Sequence, residues 1–301
     1  MRFLVTGANG LVGSRVSAEL SARGHALTAL GRGRRRIGGA FEYASVDLDD
    51  AGALASSIRS ARPDVIINAG GMTDVDGCET AASEAFRVNG VAPGTLALAA
   101  AEVSAHLVHV STDYVFDGTA GPYDEDAIPN PRGVYALTKH IGEQAVRALA
   151  PSWAIARTAV VYGWPPAARP NFGSWLLSAL RKGETVRLFE DQFVSPSLAE
   201  SVAEQLVEIA ERRLGGIWNV CGAEVVNRVQ FGHALCAEFA LDASRILPAR
   251  LAEGTLKSPR PPRGGLRTDK ATAKLTAQPV GLAASLVRFH QAVRAAEGVK
   301  A

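Results

Sequence analysis

The sequence predicts an α/β fold, a Rossmann-type doubly wound parallel sheet followed by a smaller, mostly C-terminal α+β substrate domain. Three observations predict it. Short, nearly continuous apolar runs alternate with segments of helical period up to about residue 160. A glycine loop, Gly7-Ala8-Asn9-Gly10-Leu11-Val12-Gly13, joins the first run to the first helical segment. The length of 301 residues allows about two domains at roughly 150 residues each.

In chain order, strands are expected over 2–6, 26–30, 42–46, 64–68, 106–111 and 153–160. Helices are expected over 11–22, 50–60, 81–88, 93–103 and 135–149. Strands this apolar along their whole length belong in a sheet covered on both faces, and right-handed crossovers then make it parallel. Beyond Gly163 the period becomes irregular, starting with Trp164-Pro165-Pro166. One more buried strand is read over 217–221, a Pro/Gly/Arg-rich loop over 258–265 and a final amphipathic helix over 282–296. The expected division is 1–160 with 187–221 as the dinucleotide-binding domain, and 161–186 with 222–301 as the substrate-binding domain.

Composition narrows the classes. Lys+Arg number 32 and Asp+Glu 30, a net charge of +2 that argues against nucleic acid and anionic membranes as partners. No apolar run reaches the ~18 residues of a membrane span, and the run over 1–6 is too short for a signal-peptide core. Cys78, Cys221 and Cys236 form no CxxC pair, which suits reduced, buried thiols in a cytoplasmic protein. No His/Cys/carboxylate group has metal-ligand spacing, so no metal is expected.

The glycine loop carries the first chemistry. Its GxxGxxG spacing, between a strand and a helix, lets backbone approach a pyrophosphate at the positive end of that helix. Gly7, Asn9, Gly10, Leu11, Val12 and Gly13 are therefore cofactor-binding candidates. An NAD-binding fold places an acid about 20 residues further on, against the ribose 2′-hydroxyl. Here that place holds Gly31-Arg32-Gly33. A guanidinium there fits a 2′-phosphate, so NADPH is expected, with NADH as the alternative. Asp47 and Leu48, after the third strand, are placed to meet the adenine, and Ala69 and Gly70 end the fourth strand at the switch point.

Tyr135 and Lys139 stand four residues apart, on one face of a helix. They follow a strand ending in Ser111-Thr112-Asp113. Reducing a ketone needs a proton on oxygen, and a free phenol, with a pKa of about 10, is a poor donor at neutral pH. A neighbouring ammonium lowers that value. Tyr135 is thus the expected general acid, Lys139 its electrostatic partner and ribose contact, and Thr112 the donor to the developing oxyanion.

These motifs together resemble the extended short-chain dehydrogenase/reductase family: TGANGLVG over 6–13, NAGG over 68–71, Arg87-Val88-Asn89 and YALTK over 135–139. Within it, STDYVFDG over 111–118, Ala156-Arg157-Thr158, Val161-Tyr162-Gly163, Asn171-Phe172 and Asp191-Gln192 resemble the dTDP-4-dehydrorhamnose reductase group. The resemblance implies reduction of a nucleotide-linked 4-keto-6-deoxyhexose by Thr112, Tyr135 and Lys139. It also implies substrate contacts from Asp113, Tyr114, Val160, Asn171, Gln192 and Arg260. Val160 stands where that group often has Trp, which leaves the sugar open. Tyr114 replaces the Glu of the related dehydratases, which disfavours elimination. The expected partners are a nucleotide sugar and, at most, a second copy of the chain as a homodimer. Two alternatives stay open: reduction of a different ketone or imine, and a non-catalytic NAD(P)-binding subunit like the regulatory subunit of methionine adenosyltransferase.

Overall fold

The computed structural model describes residues 1–164 and 170–298; Pro165 and Pro166 of the irregular stretch lie outside the described residues. The strands are β1 Arg2–Thr6, β2 Ala26–Gly31, β3 Glu42–Ser45, β4 Val65–Asn68, β5 His106–Thr112, β6 Trp153–Thr158, β7 Val161–Tyr162, β8 Val186–Phe189, β9 Phe193–Val194, β10 Ser197–Leu198, β11 Gly216–Asn219, β12 Val226–Asn227 and β13 Ile246–Ala249. The helices are α1 Leu11–Ala22, α2 Ala51–Ala61, α3 Val75–Thr80, α4 Ala82–Ala85, α5 Ala92–Val103, α6 Val134–Leu149, α7 Phe172–Arg181, α8 Ala199–Glu211, α9 Arg228–Phe239, α10 Asp269–Lys274 and α11 Leu282–Ala296.

Seven strands form one parallel sheet in the order β11-β6-β5-β4-β1-β2-β3. Alternation along each strand fills both faces. Phe3, Val5, Val65 and Ile67 pack under α1 and α8, while Leu4 and Ile66 pack under α2 and α5. The strand order reverses between β1 and β4, so the carboxyl ends of these two strands open the crevice in which such folds take ligands. The register aligns Thr6 with Asn68 and Asn68 with His109 along that edge.

The helix expected over 81–88 is interrupted. Only Ala82–Ala85 is α-helical, and Phe86–Val91 widens into a π-helical turn before α5. The wider turn directs the buried Asn89 inward, where its amide accepts from Met72 N at 2.8 Å and donates to Met72 O at 2.9 Å. The strand expected to reach residue 160 stops at Thr158, because Val160 has φ +39°, outside extended backbone.

A separate apolar cluster joins Tyr162, α7, β8, α9 and α11 around Phe231 and Phe289. It departs from the expected division at two places. Leu188 and Leu198 pack in this second cluster, where β8 pairs with β13. Ala271 and Leu275, by contrast, pack under the main sheet.

One buried ion pair fastens α6 to the sheet. Glu143 accepts from Arg157 Nε at 3.0 Å and Nη2 at 2.8 Å, with both side chains 1% exposed. The Arg157 guanidinium also lies 5.0 Å from the Phe116 ring centre. Burial would raise the Glu143 carboxyl, but His140 and Arg157 outweigh it and hold it at about 2, below its ordinary 4.5. Its stabilisation is therefore complete above pH 4.5 and is lost as pH falls toward 2. Arg157→Met should cost about 3–5 kcal/mol in urea unfolding, because a bare carboxylate stays buried, whereas the double change Glu143→Leu with Arg157→Met should recover most of it. The double variant should also lose the acid-sensitive part of the wild-type stability; equal stability of Arg157→Met and wild type would reject this account.

Candidate functional site

The glycine loop is built on backbone contact. Gly7 has φ +67°, and a Cβ placed there would lie 2.5 Å from Gly70 Cα and 2.8 Å from the Ala69 carbonyl carbon. A Cβ on Gly13 would lie 2.2 Å from Gly7 O. Leu48 adjoins Gly70, since its Cδ1 lies 2.7 Å from a Cβ placed on that residue. Gly10 caps α1 without any side-chain acceptor, and the first turn, which includes Leu11 and Val12, carries no acid. The first-turn N–H groups of α1 are thus left for an anion, and the residues fit a dinucleotide pyrophosphate.

Beneath this loop a buried chain of hydrogen bonds links three strands. Thr6 Oγ1 donates to Asn68 Oδ1 at 2.6 Å, and Gly70 N reaches the same oxygen at 3.3 Å. The Asn68 amide nitrogen therefore faces His109 Nδ1, 2.9 Å away. Burial holds His109 neutral, well below its ordinary pKa.

Asn9 shapes the arginine loop. Its Nδ2 donates to Arg32 O at 3.1 Å and Arg34 O at 3.0 Å, and its Oδ1 accepts from Arg36 N at 2.9 Å. The Arg32 side chain is exposed, with Glu84 at 3.9 Å. Asp47 turns the chain into α2, its carboxylate accepting from Asp49 N at 3.1 Å.

Thr112, Tyr135 and Lys139 converge at the carboxyl end of β5 and the start of α6, and all three are buried. Lys139 Nζ donates to Val110 O at 2.7 Å. Burial brings its ammonium down to about 8, against the opposing pull of the Glu143 carboxylate. The phenol of Tyr135 departs from expectation. Burial pushes its pKa up, and the Thr112 hydroxyl only partly offsets that. Tyr135 is therefore a neutral acid that keeps its proton at neutral pH. Tyr114 packs edge-on against it, with ring centres 5.7 Å apart. Gly71 closes the trio's floor, since a Cβ there would lie 3.0 Å from Asn89 Oδ1 and 3.9 Å from Lys139 Nζ.

On the substrate side the expected residues fall into two groups. Asp113, Tyr114 and Gln192 lie together. Asp113 Oδ1 accepts from Thr112 Oγ1 at 3.2 Å, while its Oδ2 is buried without a partner. Burial pushes the Asp113 carboxyl up to about 6. The other three have structural engagements. Asn171 caps α7, accepting from Ser174 N at 3.0 Å and donating to Gly163 O at 2.8 Å. Arg260 pairs with Asp76 at 2.8 Å and donates to Ser258 O at 2.9 Å. Val160 O accepts from Ser197 N at 3.2 Å. Arg260 also walls a groove of about 460 Å³ running along Leu251, Gly254, Leu256 and Lys257. Sequence reasoning missed Arg228, which sits in the Asp113–Tyr114–Gln192 group. No motif surrounds it, and only the packing of α9 brings it there. Among the described residues no group of His, Cys, Asp or Glu could hold a metal, and no helix is long and apolar enough to cross a membrane.

This sheet, the glycine loop at its switch point and the Thr–Tyr–Lys set beside it define an extended short-chain dehydrogenase/reductase fold. The chain belongs to the RmlD substrate binding domain family, whose model matches residues 1–294. It is 35% identical over 280 residues to a probable low-salt glycan biosynthesis reductase of Haloferax volcanii, covering 91% of this chain and 92% of that one. A dTDP-4-dehydrorhamnose reductase of Streptomyces griseus is 38% identical over 217 residues, covering 71% and 67%. Subunit beta of methionine adenosyltransferase 2 from Xenopus tropicalis is 34% identical over 255 residues, covering 82% and 75%. The crystal structure of a hypothetical dTDP-4-dehydrorhamnose reductase from Sulfolobus tokodaii superposes with a TM-score of 0.82 at 34% identity, covering 92% and 95%.

The Gly7 contact makes a sharp prediction. Gly7→Ala should cost at least the ~1–3 kcal/mol of a strained backbone and should abolish NADPH binding. Gly24→Ala, also at positive φ but with open space around it, should lower stability by a similar strain term and leave NADPH affinity unchanged. Thermal melts and NADPH titration of both variants check this, and NADPH binding by Gly7→Ala as tight as by wild type would refute it.

Proposed function

We propose that this chain is an NADPH-dependent reductase of a nucleotide-linked 4-keto-6-deoxyhexose, with NADH as the weaker alternative cofactor. The observation that carries the reading is the convergence of Thr112, Tyr135 and Lys139 beside a glycine loop that only backbone can fill. The glycine loop and the Asn68–Gly71 segment would hold the dinucleotide, and Arg32 would pair with its 2′-phosphate. When bound, NADPH supplies the hydride to the carbonyl carbon.

The chain's own residues handle the oxygen. Tyr135 Oη, kept protonated by burial, delivers its proton to the carbonyl oxygen as negative charge develops there. The Thr112 hydroxyl donates a hydrogen bond to the same oxygen. Lys139, whose pKa of about 8 leaves it mostly cationic at neutral pH, stabilises the phenolate left behind. Tyr114 and Met72, half-buried themselves, pack against Tyr135 and limit water at its ring. Asp113, with a free carboxyl oxygen, takes a sugar hydroxyl beside the reacting carbon. The groove beside Arg260 takes the nucleoside end. Val160 in place of a Trp leaves that wall of the sugar site small. A reducing compartment such as the cytoplasm suits Cys78, Cys221 and Cys236, all three buried.

The similarity to a methionine adenosyltransferase subunit is one specific observation favouring a non-catalytic binding role. Turnover separates the two readings. NADPH oxidation should appear on adding a dTDP-4-keto-6-deoxyhexose. Tyr135→Phe should lower kcat about 10²–10⁴-fold with NADPH affinity retained; full activity in Tyr135→Phe would sink the mechanism. Separately, Arg32→Asp should shift the NADPH-over-NADH affinity ratio toward NADH by about 10–100-fold, the worth of one charge-assisted hydrogen bond. An unchanged ratio would remove Arg32 from the cofactor site.

A further inference from the structure

Arg228 is a cation out of place. It opens α9, immediately after Asn227, whose side chain caps the helix by accepting from Gln230 N. Arginine stays charged in proteins, and a charge withdrawn from water needs a counter-charge. Arg228 is half-buried, and burial draws its pKa down. Yet it makes no salt bridge among the described residues. Its Nε donates to Gln192 Oε1 at 3.0 Å, and its guanidinium lies 4.4 Å from the Phe172 ring centre. Both contacts fix the plane of the guanidinium and leave its terminal nitrogens unused.

The surroundings are rich in donors. Gln192 is 2% exposed; its oxygen is engaged by Arg228, and its buried Nε2 makes no well-formed hydrogen bond, only a looser approach to the Tyr114 hydroxyl. Arg260 is near enough for the two guanidinium groups to repel, but it has its own carboxylate in Asp76. Asp113 is near enough to attract Arg228 through space, whereas the Tyr114 phenol, kept neutral by burial, adds no charge. Asp113 Oδ1 is already engaged by Thr112. A planar guanidinium and an amide N–H₂, both with free hydrogens, form the fork that matches an oxyanion.

We propose that Arg228, held in place by Gln192 and Phe172, determines specificity by binding an oxyanion of the substrate. The inference deepens the reading above and rests on it for the presence of a substrate beside Thr112. The oxyanion has two sources in such a molecule: a phosphate of the nucleotide or a carboxylate on the sugar. Either one supplies the hydrogen-bonded counter-charge that Asp113, which acts on Arg228 only through space, does not. The same contact makes Arg228 a filter, because a neutral ketone of equal shape would leave the guanidinium buried and unpaired.

Calorimetric titration tests this without turnover, so it stands apart from any failure of the reductase reading in the NADPH oxidation assay. The variant Arg228→Met keeps an unbranched apolar stem and removes the guanidinium that lies over Phe172. If the oxyanion is a phosphate, it should weaken binding of dTDP about 10–100-fold while thymidine and NADPH bind as they do to wild type; the unchanged NADPH affinity also reports that the variant is folded. Arg228→Lys should restore only part of the loss, since an ammonium lacks the fork. Gln192→Leu should reproduce it, having removed the second donor. Comparing UDP-glucuronate with UDP-glucose separates the sources. Equal losses for both identify the phosphate, and a loss confined to UDP-glucuronate, with dTDP unaffected, identifies the sugar carboxylate. Wild-type affinity of Arg228→Met for all of these anions would overturn the proposal, as would failure of the wild-type protein to bind any of them.

Discussion

The geometry of the reaction centre rests on the ion pair between Glu143 and Arg157. Thr112 belongs to β5 and Tyr135 and Lys139 to α6, so their meeting depends on how the helix lies over the sheet. A helix bears on a sheet through apolar contacts that tolerate sliding, but a bidentate guanidinium–carboxylate contact does not. Glu143 follows Lys139 by four residues, on the same helix face. Arg157 lies in β6, one residue before Thr158, which is in register with Thr112. Anchoring Glu143 to Arg157 therefore sets both the rotation of α6 and its height above β5. Such pairs are weak as sources of stability and better suited to fixing one arrangement among several.

The cofactor side follows a different logic, contact between backbones. Gly7 meets Gly70, and Gly13 meets Gly7, at separations where a methyl group has no room. The buried Thr6–Asn68–His109 chain holds those strand ends level. Apart from that chain, side chains act here mainly through Asn9, which organises the arginine loop.

Much of this was legible in the sequence, for identifiable reasons. The central strands announce themselves because burial on both faces makes them apolar throughout, and the glycine loop and Tyr–Lys spacing are local patterns. The second cluster was not legible. Its strands β7, β9, β10 and β12 are two residues each, too short for any period. The helices α7 and α9 owe their starts to Asn171 and Asn227 caps that resemble ordinary polar loop residues. For Asn171 the sequence suggested a substrate contact, and a helix cap uses the same amide. Arg228 escaped notice because nothing in its neighbourhood along the chain marks it; Gln192 and Phe172 reach it from distant segments. The direction of the Tyr135 shift was likewise hidden. Spacing reveals the ammonium nearby, but the degree of burial that outweighs it is a property of the packed site.

The π-helical turn over Phe86–Val91 has a consequence for how this chain tolerates change in length. Such a turn holds one residue more than the α-helix would. Removing one residue there would let the segment relax to α geometry and rotate everything after it by about 100°. Asn89 would then turn away from Met72, and the faces of α5 now buried under the sheet, including Leu96 and Ala100, would swing toward solvent. A single-residue deletion at this point should thus be far less acceptable than one in the neighbouring loops, and relatives that keep the Asn should keep the extra residue with it.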